Sequence, residues 1–403
     1  MTQKDGENSK LQVFIARDDE TRARIYRFRY QVRRETAGDE FPNADHTAKT
    51  ISEPLDKLAY HVYAATSVGG EIAASLRLNT GTADPAMAAM VDMSGFAAFK
   101  EFGIAALSLS GQLFVAPKWQ NSMAASLAMG AVYKLARKSG SKFDFSHCAP
   151  SLIPLYQRLG YRRFRDNFMD DDLGYQVPLV LVTEDYAYLN QVKSPLVNIA
   201  REMTNPPETG AWFARNFPEY ARAMAEAAME DDEFWRFLAS KLNQTPNAGI
   251  PLLEGLSYPE AMAFIRASSV LNCKAENPIV KAGQMGREMF VILSGSVRVQ
   301  AGADKATIAT LTRGDMFGEL AFLSEMPRTA DVMANEPVEL LVLSQAIIQK
   351  IMQKMPAIAA RVLFNLSLIL CARLEHSTRD LVSARMTGEA EVMPPVSRQA
   401  SGS

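Results

Sequence analysis

The densest chemistry in this 403-residue chain lies in FGELAFLSEMPRTADV, residues 317–332. Gly318 lets the backbone approach a ligand closely, the helical turn expected after it aims free N–H groups at an anion, and Arg328 supplies a charge-assisted bond. That combination suits a phosphate, and Glu319, acceptor-only when ionised, suits a sugar hydroxyl. Read without a ligand, Arg328 is a surface salt bridge and Glu319 is an acid favoured by the dipole at a helix N-terminus.

The segment resembles the phosphate-binding cassette of the cyclic-nucleotide-binding domain family. The resemblance runs from Leu253 to Arg379 and takes in the hairpin MFVILSGSVRV and the turn glycines Gly283, Gly286 and Gly314. It implies nucleotide contacts at Gly318, Glu319, Leu320, Arg328, Thr329 and Ala330, with cAMP or cGMP as regulatory ligand; the Thr329 hydroxyl is compatible with guanine as well as adenine. The last helix carries Val362, Leu363, Leu366, Ile369, Leu370 and Leu374 at helical spacing, a stripe to be buried in the core or against a second copy of the chain. In the family this helix also covers the base, which implies Leu370, Arg373 and Leu374 near the purine. Too few residues follow it for a helix-turn-helix, so direct reading of DNA is not expected.

A second constellation lies in LFVAPKWQNSMAASLAMGAVYKLARKSG and LYQRLGYRRF. Together these resemble the GNAT N-acyltransferase superfamily. Transfer from a thioester needs donors for the carbonyl oxygen and an anion site for the carrier's phosphates, and backbone N–H groups at a strand end and helix N-terminus supply both. The implied acyl-donor residues are Val115, Gln120, Asn121, Ser122, Met123, Ala124 and Ala125, with Met123 standing where the family's turn has a glycine. Tyr156 matches the tyrosine that protonates the departing thiolate, a role its phenol fills when positioned; a core tyrosine tied to backbone is the alternative.

Within the superfamily the segments RFRYQVRRE, SLRLNT and VPLVLV resemble N-acyl amino acid synthases and autoinducer synthases. Arg29 and Arg77 fall on arginines characteristic of those enzymes, and are expected to bind an amino-acid carboxylate or brace the site. Leu109 and Gln112 replace the Glu and Arg those synthases carry on the central strand, which argues against lactone synthesis. Candidates for a general base are then His147, Asp92 and Glu101. Met87, Met90, Met93, Phe96, Phe99 and Phe102 form either a soft acyl-chain lining or ordinary core.

These residues need two frames, an α+β multidomain chain. Strand and helix patterns alternate through 11–196, as in a mixed α/β domain. A helical connector is expected over 197–249. Short strands punctuated by glycines fill 250–386 and close with two helices, as in a β-roll cyclic-nucleotide-binding domain. Polar tails are expected at 1–10 and 387–403. Composition agrees: 48% hydrophobic and 22% charged residues supply large cores and exclude a fibrous or wholly disordered chain. A formal net charge of -2 removes the broad basic surface of a sequence-independent nucleic-acid binder. Three scattered cysteines fit neither a disulfide framework nor a zinc site, and with no apolar leader or span in view the expected setting is the cytoplasm. The combined expectation is an N-acyltransferase that takes an acyl group from acyl-CoA or acyl-carrier protein to an amine under cyclic-nucleotide control, with no metal and with a homodimer through the last helix as a candidate assembly. Its rivals are a catalytically inactive nucleotide sensor and a protein lysine acetyltransferase.

Overall fold

The computed structural model describes residues 11–37, 44–81, 96–120, 122–170, 173–220, 229–266, 268–324 and 326–387. Asn121, Met87, Met90, Met93, Asp92 and the two terminal tails, apart from residue 387, lie outside them.

Apolar runs of strand length in the first half become β1 (Gln12–Ile15), β2 (Tyr60–Ala65), β3 (Ile72–Thr80), β4 (Leu107–Val115), β5 (Phe143–Cys148), β6 (Arg162–Arg163), β7 (Phe168–Asp170) and β8 (Gly174–Val182). They form one sheet in the order β1-β2-β3-β4-β5-β8-β6, with β7 also paired to β8. Among the described strands β4 and β5 are the single parallel pair, in register at Leu107 with Phe143, Ser108 with Asp144 and Leu109 with Phe145. Beyond Leu109 they part: β4 continues beside β3 as far as Val115, and β5 beside β8. A register shift on β3 and β4 coincides with a positive φ of 56° at Gln112, a bulge that re-aims side chains at the point of divergence.

Helix α1 (Asp19–Ala37) starts with two acids and keeps Arg34 in its last turn, in line with its dipole. Helix α2 (Ala124–Lys138) packs Ala128, Met129, Val132 and Ala136 on the sheet. Pro117 opens a separate turn of 3-10 helix over Pro117–Trp119, because a proline fits a first helical turn and lacks the N–H needed further in. Then come α3 (Ile153–Leu159), α4 (Tyr186–Gln191), α5 (Val197–Arg201) and α6 (Glu208–Asn216).

The segment expected as a connector packs in two parts. Trp212 and Phe213 of α6, with Phe217, join Phe96, Phe99, Phe143, Phe145 and Phe164 in an aromatic core beneath the sheet. Helix α7 (Asp231–Leu242) instead buries Phe234, Leu238 and Leu242 in the second half of the molecule.

That second half, entered through α8 (Tyr258–Ile265), contains β9 (Ser269–Cys273), β10 (Pro278–Val280), β11 (Glu288–Ser294), β12 (Val297–Ala301), β13 (Ala306–Leu311), β14 (Met316–Phe317), β15 (Asp331–Ala334) and β16 (Val338–Ser344). They make two four-stranded sheets, β10-β15-β12-β13 and β14-β11-β16-β9, which form a β-roll. Helix α9 (Glu319–Ser324) follows β14, and α10 (Gln345–Lys354) and α11 (Pro356–Thr387) close the roll. Ile358, Ala359, Val362 and Leu366 bury one side of α11, and Asn365 donates to the carbonyls of Leu252 and Glu254. No span was expected from the sequence, yet Pro356–Ser383 is long and apolar enough to cross a membrane by length and composition alone; one side of its first turns packs into the core of the roll.

Candidate functional site

The glycine and arginine singled out in 317–332 meet. Gly318 has φ of 85°, a left-handed conformation that favours glycine, and a Cβ there would lie 2.6 Å from Arg328 Nη1 and 3.0 Å from the Glu288 carbonyl. Arg328 Nη1 donates to the Gly318 carbonyl at 2.9 Å and Nη2 to Glu288 Oε2 at 3.2 Å. Gly286 gives the guanidinium its other wall, since a Cβ there would stand 2.4 Å from Nη2. Burial pulls the Arg328 pKa down, opposed by Glu288 and Glu319, so this cation is desolvated and matched by acids. A desolvated guanidinium between two close-packed glycine turns is a strong anion donor.

Glu319, at the start of α9, is buried and pairs with Arg373 of α11 at 2.8 Å; Arg373 also donates to the Met316 carbonyl. The last helix is thus tied to the cassette through the acid that would face a sugar hydroxyl. Leu320 and Thr329 are exposed and Ala330 is half-buried beside Arg328. Leu374, expected over a base, points to solvent at 69% exposure, because Arg373 takes the side of α11 that faces the cassette.

Residues 270–355 match the family model described as the cyclic nucleotide-binding domain. The C-terminal module is a cyclic nucleotide-binding domain: a β-roll with closing C-terminal helices. The chain is similar to the Cyclic AMP receptor protein of Thermus thermophilus, 30% identical over 139 residues, 33% of this chain and 61% of that protein. It is also similar to the Cyclic nucleotide-gated channel beta-3 of Mus musculus, 34% identical over 121 residues, 29% of this chain and 17% of the channel. Among solved structures, the Thermus thermophilus Catabolite Activator Protein aligns at 28% identity with a TM-score of 0.31, covering 34% of this chain and 63% of that one. The chain spans less than two thirds of the length of these relatives.

The first half holds a second cluster. Arg29, fully buried on α1, grips both oxygens of Asp56, at 3.0 and 2.8 Å. Its Nη2 lies 3.3 Å from His61 Nδ1, while His61 Nε2 lies 2.9 Å from the Asp56 carbonyl. Those contacts fit a neutral imidazole that accepts at Nδ1 and donates at Nε2, consistent with the lowering of the His61 pKa by burial. Arg77 on β3 bonds Glu53 at 2.5 Å and lies 3.8 Å from Asp56; Gln112 at the β4 bulge donates to the other Glu53 oxygen. Among the described residues, Arg29 Nε and Arg77 Nε have no hydrogen-bond partner. The Glu53 side chain, 39% exposed, is the open edge of an otherwise buried set.

Arg29 and Arg77 thus share one cluster around Asp56, and Gln112 joins it through Glu53. Glu53, Asp56 and His61 complete the cluster and were missed. Their available signal was SEPLD, a proline-led turn in which Glu53 and Asp56 form a capping box.

Tyr156 lies apart, beside β5. It is buried, its hydroxyl lies 3.5 Å from Ser146 Oγ, and burial raises its pKa. Nearby, Asp144 accepts from Ser108, Ser110 and Tyr161, and burial outweighs those bonds to raise its pKa.

Two of the base candidates are occupied elsewhere: Glu101 accepts from Trp212 Nε1 and His147 Nδ1 meets Gln176 Oε1 at 3.0 Å. Phe96, Phe99 and Phe102 pack into the aromatic core, where Phe99 stacks on Phe217. Around the expected donor turn, Val115 ends β4, Gln120 precedes the helix, and Ser122 Oγ accepts from Ala124 N. Met123 is 55% exposed, Ala124 buried and Ala125 half-buried.

Proposed function

We propose that the chain is a cytoplasmic N-acyltransferase regulated by a cyclic nucleotide, moving an acyl group from an acyl-CoA or acyl-carrier-protein thioester to an amine. The observation that carries the reading is a pairing on one chain: the Arg328 cradle, and a sheet whose parallel strands β4 and β5 separate beside a buried arginine cluster.

In the nucleotide module the phosphate takes the Arg328 guanidinium and the N–H groups at the start of α9, and Glu319 accepts from the ribose. The Thermus receptor and the mouse channel are named for cyclic nucleotides, and the shared domain supports cAMP or cGMP as ligand.

In the first module the gap between β4 and β5 admits the thioester, whose pantetheine arm replaces strand pairing, and its phosphates lie towards the turn before α2. The amine attacks the carbonyl carbon as the C–S bond breaks. The Tyr156 phenol, beside Ser146 on β5, supplies the proton for the departing thiolate. Glu53, the carboxylate on the open edge of the cluster, takes the amine proton, and Arg77, braced through the Asp56 that Arg29 holds, orients an anionic group on the acceptor. Two copies associate through the exposed side of α11, where Phe364, Leu368, Leu374, Leu381 and Val382 are more than half exposed.

The test is calorimetry of cAMP and cGMP together with acyl-transfer assays on CoA and carrier-protein donors, with and without nucleotide. Arg328→Ala is expected to weaken nucleotide binding by about 2–3 kcal/mol, roughly 30- to 150-fold; equal affinities would remove the phosphate contact. Tight nucleotide binding without turnover on any donor would leave a sensor with an inactive transferase-like module.

A further inference from the structure

The two halves of the chain meet next to Arg328. Gln284, in the turn between β10 and β11, accepts from Arg328 N through its main-chain carbonyl at 2.8 Å, and Gly283 N donates to the Arg328 carbonyl at 2.8 Å. The turn and the arginine are therefore clamped by main-chain bonds in both directions. The Gln284 side chain reaches the other way: its Nε2 donates at 3.0 Å to the carbonyl of Asp170, the last residue of β7. Across that hairpin Gly174, with φ of 75°, is so close that a Cβ would lie 3.3 Å from Gln284 Oε1.

Three further bonds fix the same face. Arg163 Nη2 donates to the Val270 carbonyl at 2.6 Å, Asn167 Nδ2 to the Asn272 carbonyl at 2.9 Å, and the Tyr175 hydroxyl to Cys273 Sγ at 3.1 Å. Beyond the hairpin, β8 pairs residue by residue with β5, including His147 with Pro178 and Ser146 with Leu179. One strand thus separates the contact at Gln284 from the strand that carries Ser146 beside Tyr156. A cleft of about 60 Å³ lies between Pro150, Gly174 and Tyr175 on one side and Gly286, Glu288 and Arg328 on the other, so the arginine borders both modules.

We infer that the β7–β8 hairpin is the element through which a cyclic phosphate bound at Arg328 acts on the transferase-like sheet. The route does not pass through the segment between the modules. A phosphate on the guanidinium competes with Glu288 for the same Nη2. A shift of the guanidinium towards Gly286, which packs closely against it, moves the turn. Gln284 passes that movement to Asp170 and Gly174, and strand pairing passes it to β5. Gln284 and Asn167 are positioning residues in this scheme. The inference rests on the nucleotide reading above and adds the path of its regulation.

Amide exchange over 168–176 is to be followed in the full chain with and without cAMP or cGMP, beside calorimetry of the same samples. The expected result is binding together with an exchange change of about five-fold or more in the hairpin, the lower range of ordinary allosteric coupling. No binding heat with either nucleotide would overturn the nucleotide reading itself. Binding with an unchanged hairpin would overturn the coupling and leave the binding site standing. Linkage adds a reciprocal readout: Asn167→Ala, which loosens the interface from the transferase side, is expected to shift nucleotide Kd about five-fold in either direction, and an unchanged Kd would count against the inference. Tyr175→Phe, which removes one hydroxyl, keeps that comparison available if the first variant does not fold.

Discussion

At the scale of single residues, the chain buries cations where it expects anions. Arg328 and Arg29 are both at least nine-tenths buried and each is held by a carboxylate, but the two pairs differ in what surrounds them. Arg328 is walled by glycines and shares its partner loosely at 3.2 Å, so an incoming phosphate can compete. Arg29 has both Asp56 oxygens within 3.0 Å and is a brace. Removing one partner of such a buried pair leaves an unmatched charge in the interior. Asp56→Ala is therefore expected to destabilise the fold by about 3–5 kcal/mol, whereas the double change Arg29→Met with Asp56→Leu, which removes both charges, should lose clearly less. Urea unfolding of the two variants checks this, and equal losses would show that the pair is not what Arg29 contributes.

At the scale of elements, what could be read in advance depended on distance along the chain. Gly318 and Arg328 lie within one short segment, so a contact between them needs little chain to be brought together. The Arg29 cluster draws on α1, the turn before β2, β3 and the β4 bulge; Glu53 and Asp56 look like ordinary turn residues until those elements pack. The start of α2 is set locally, after the separate turn that Pro117 nucleates.

Helix α11 combines both cases. Its buried face was visible as a stripe, but Leu374 lies off that face while Phe364, Leu368, Leu381 and Val382 crowd the exposed side. So much apolar surface on one helix face calls for a partner. Leu368→Glu is expected to convert a dimer into a monomer in sedimentation experiments while leaving the fold intact. A wild-type chain that already sediments as a monomer would overturn the proposed contact, and recovery in the membrane fraction would assign the surface to lipid.

At the scale of the whole molecule, one apolar cluster passes through both modules. Tyr175, Val177 and Leu179 of β8 belong to the same continuous core as Leu271, Ile279, Phe290 and Val342 of the roll, and the buried bonds from Arg163, Asn167 and Tyr175 cross the same boundary. Domains joined by a flexible linker melt separately, whereas halves that share a core lose it together. Differential scanning calorimetry is accordingly expected to show a single transition, with calorimetric and van't Hoff enthalpies in agreement. Cyclic nucleotide at about a hundred times its Kd should add about 2.7 kcal/mol and raise that whole transition. Two transitions, only one of them moved by nucleotide, would mean that the shared core does not couple the modules, and the hairpin could not then carry a signal from Arg328 to β5.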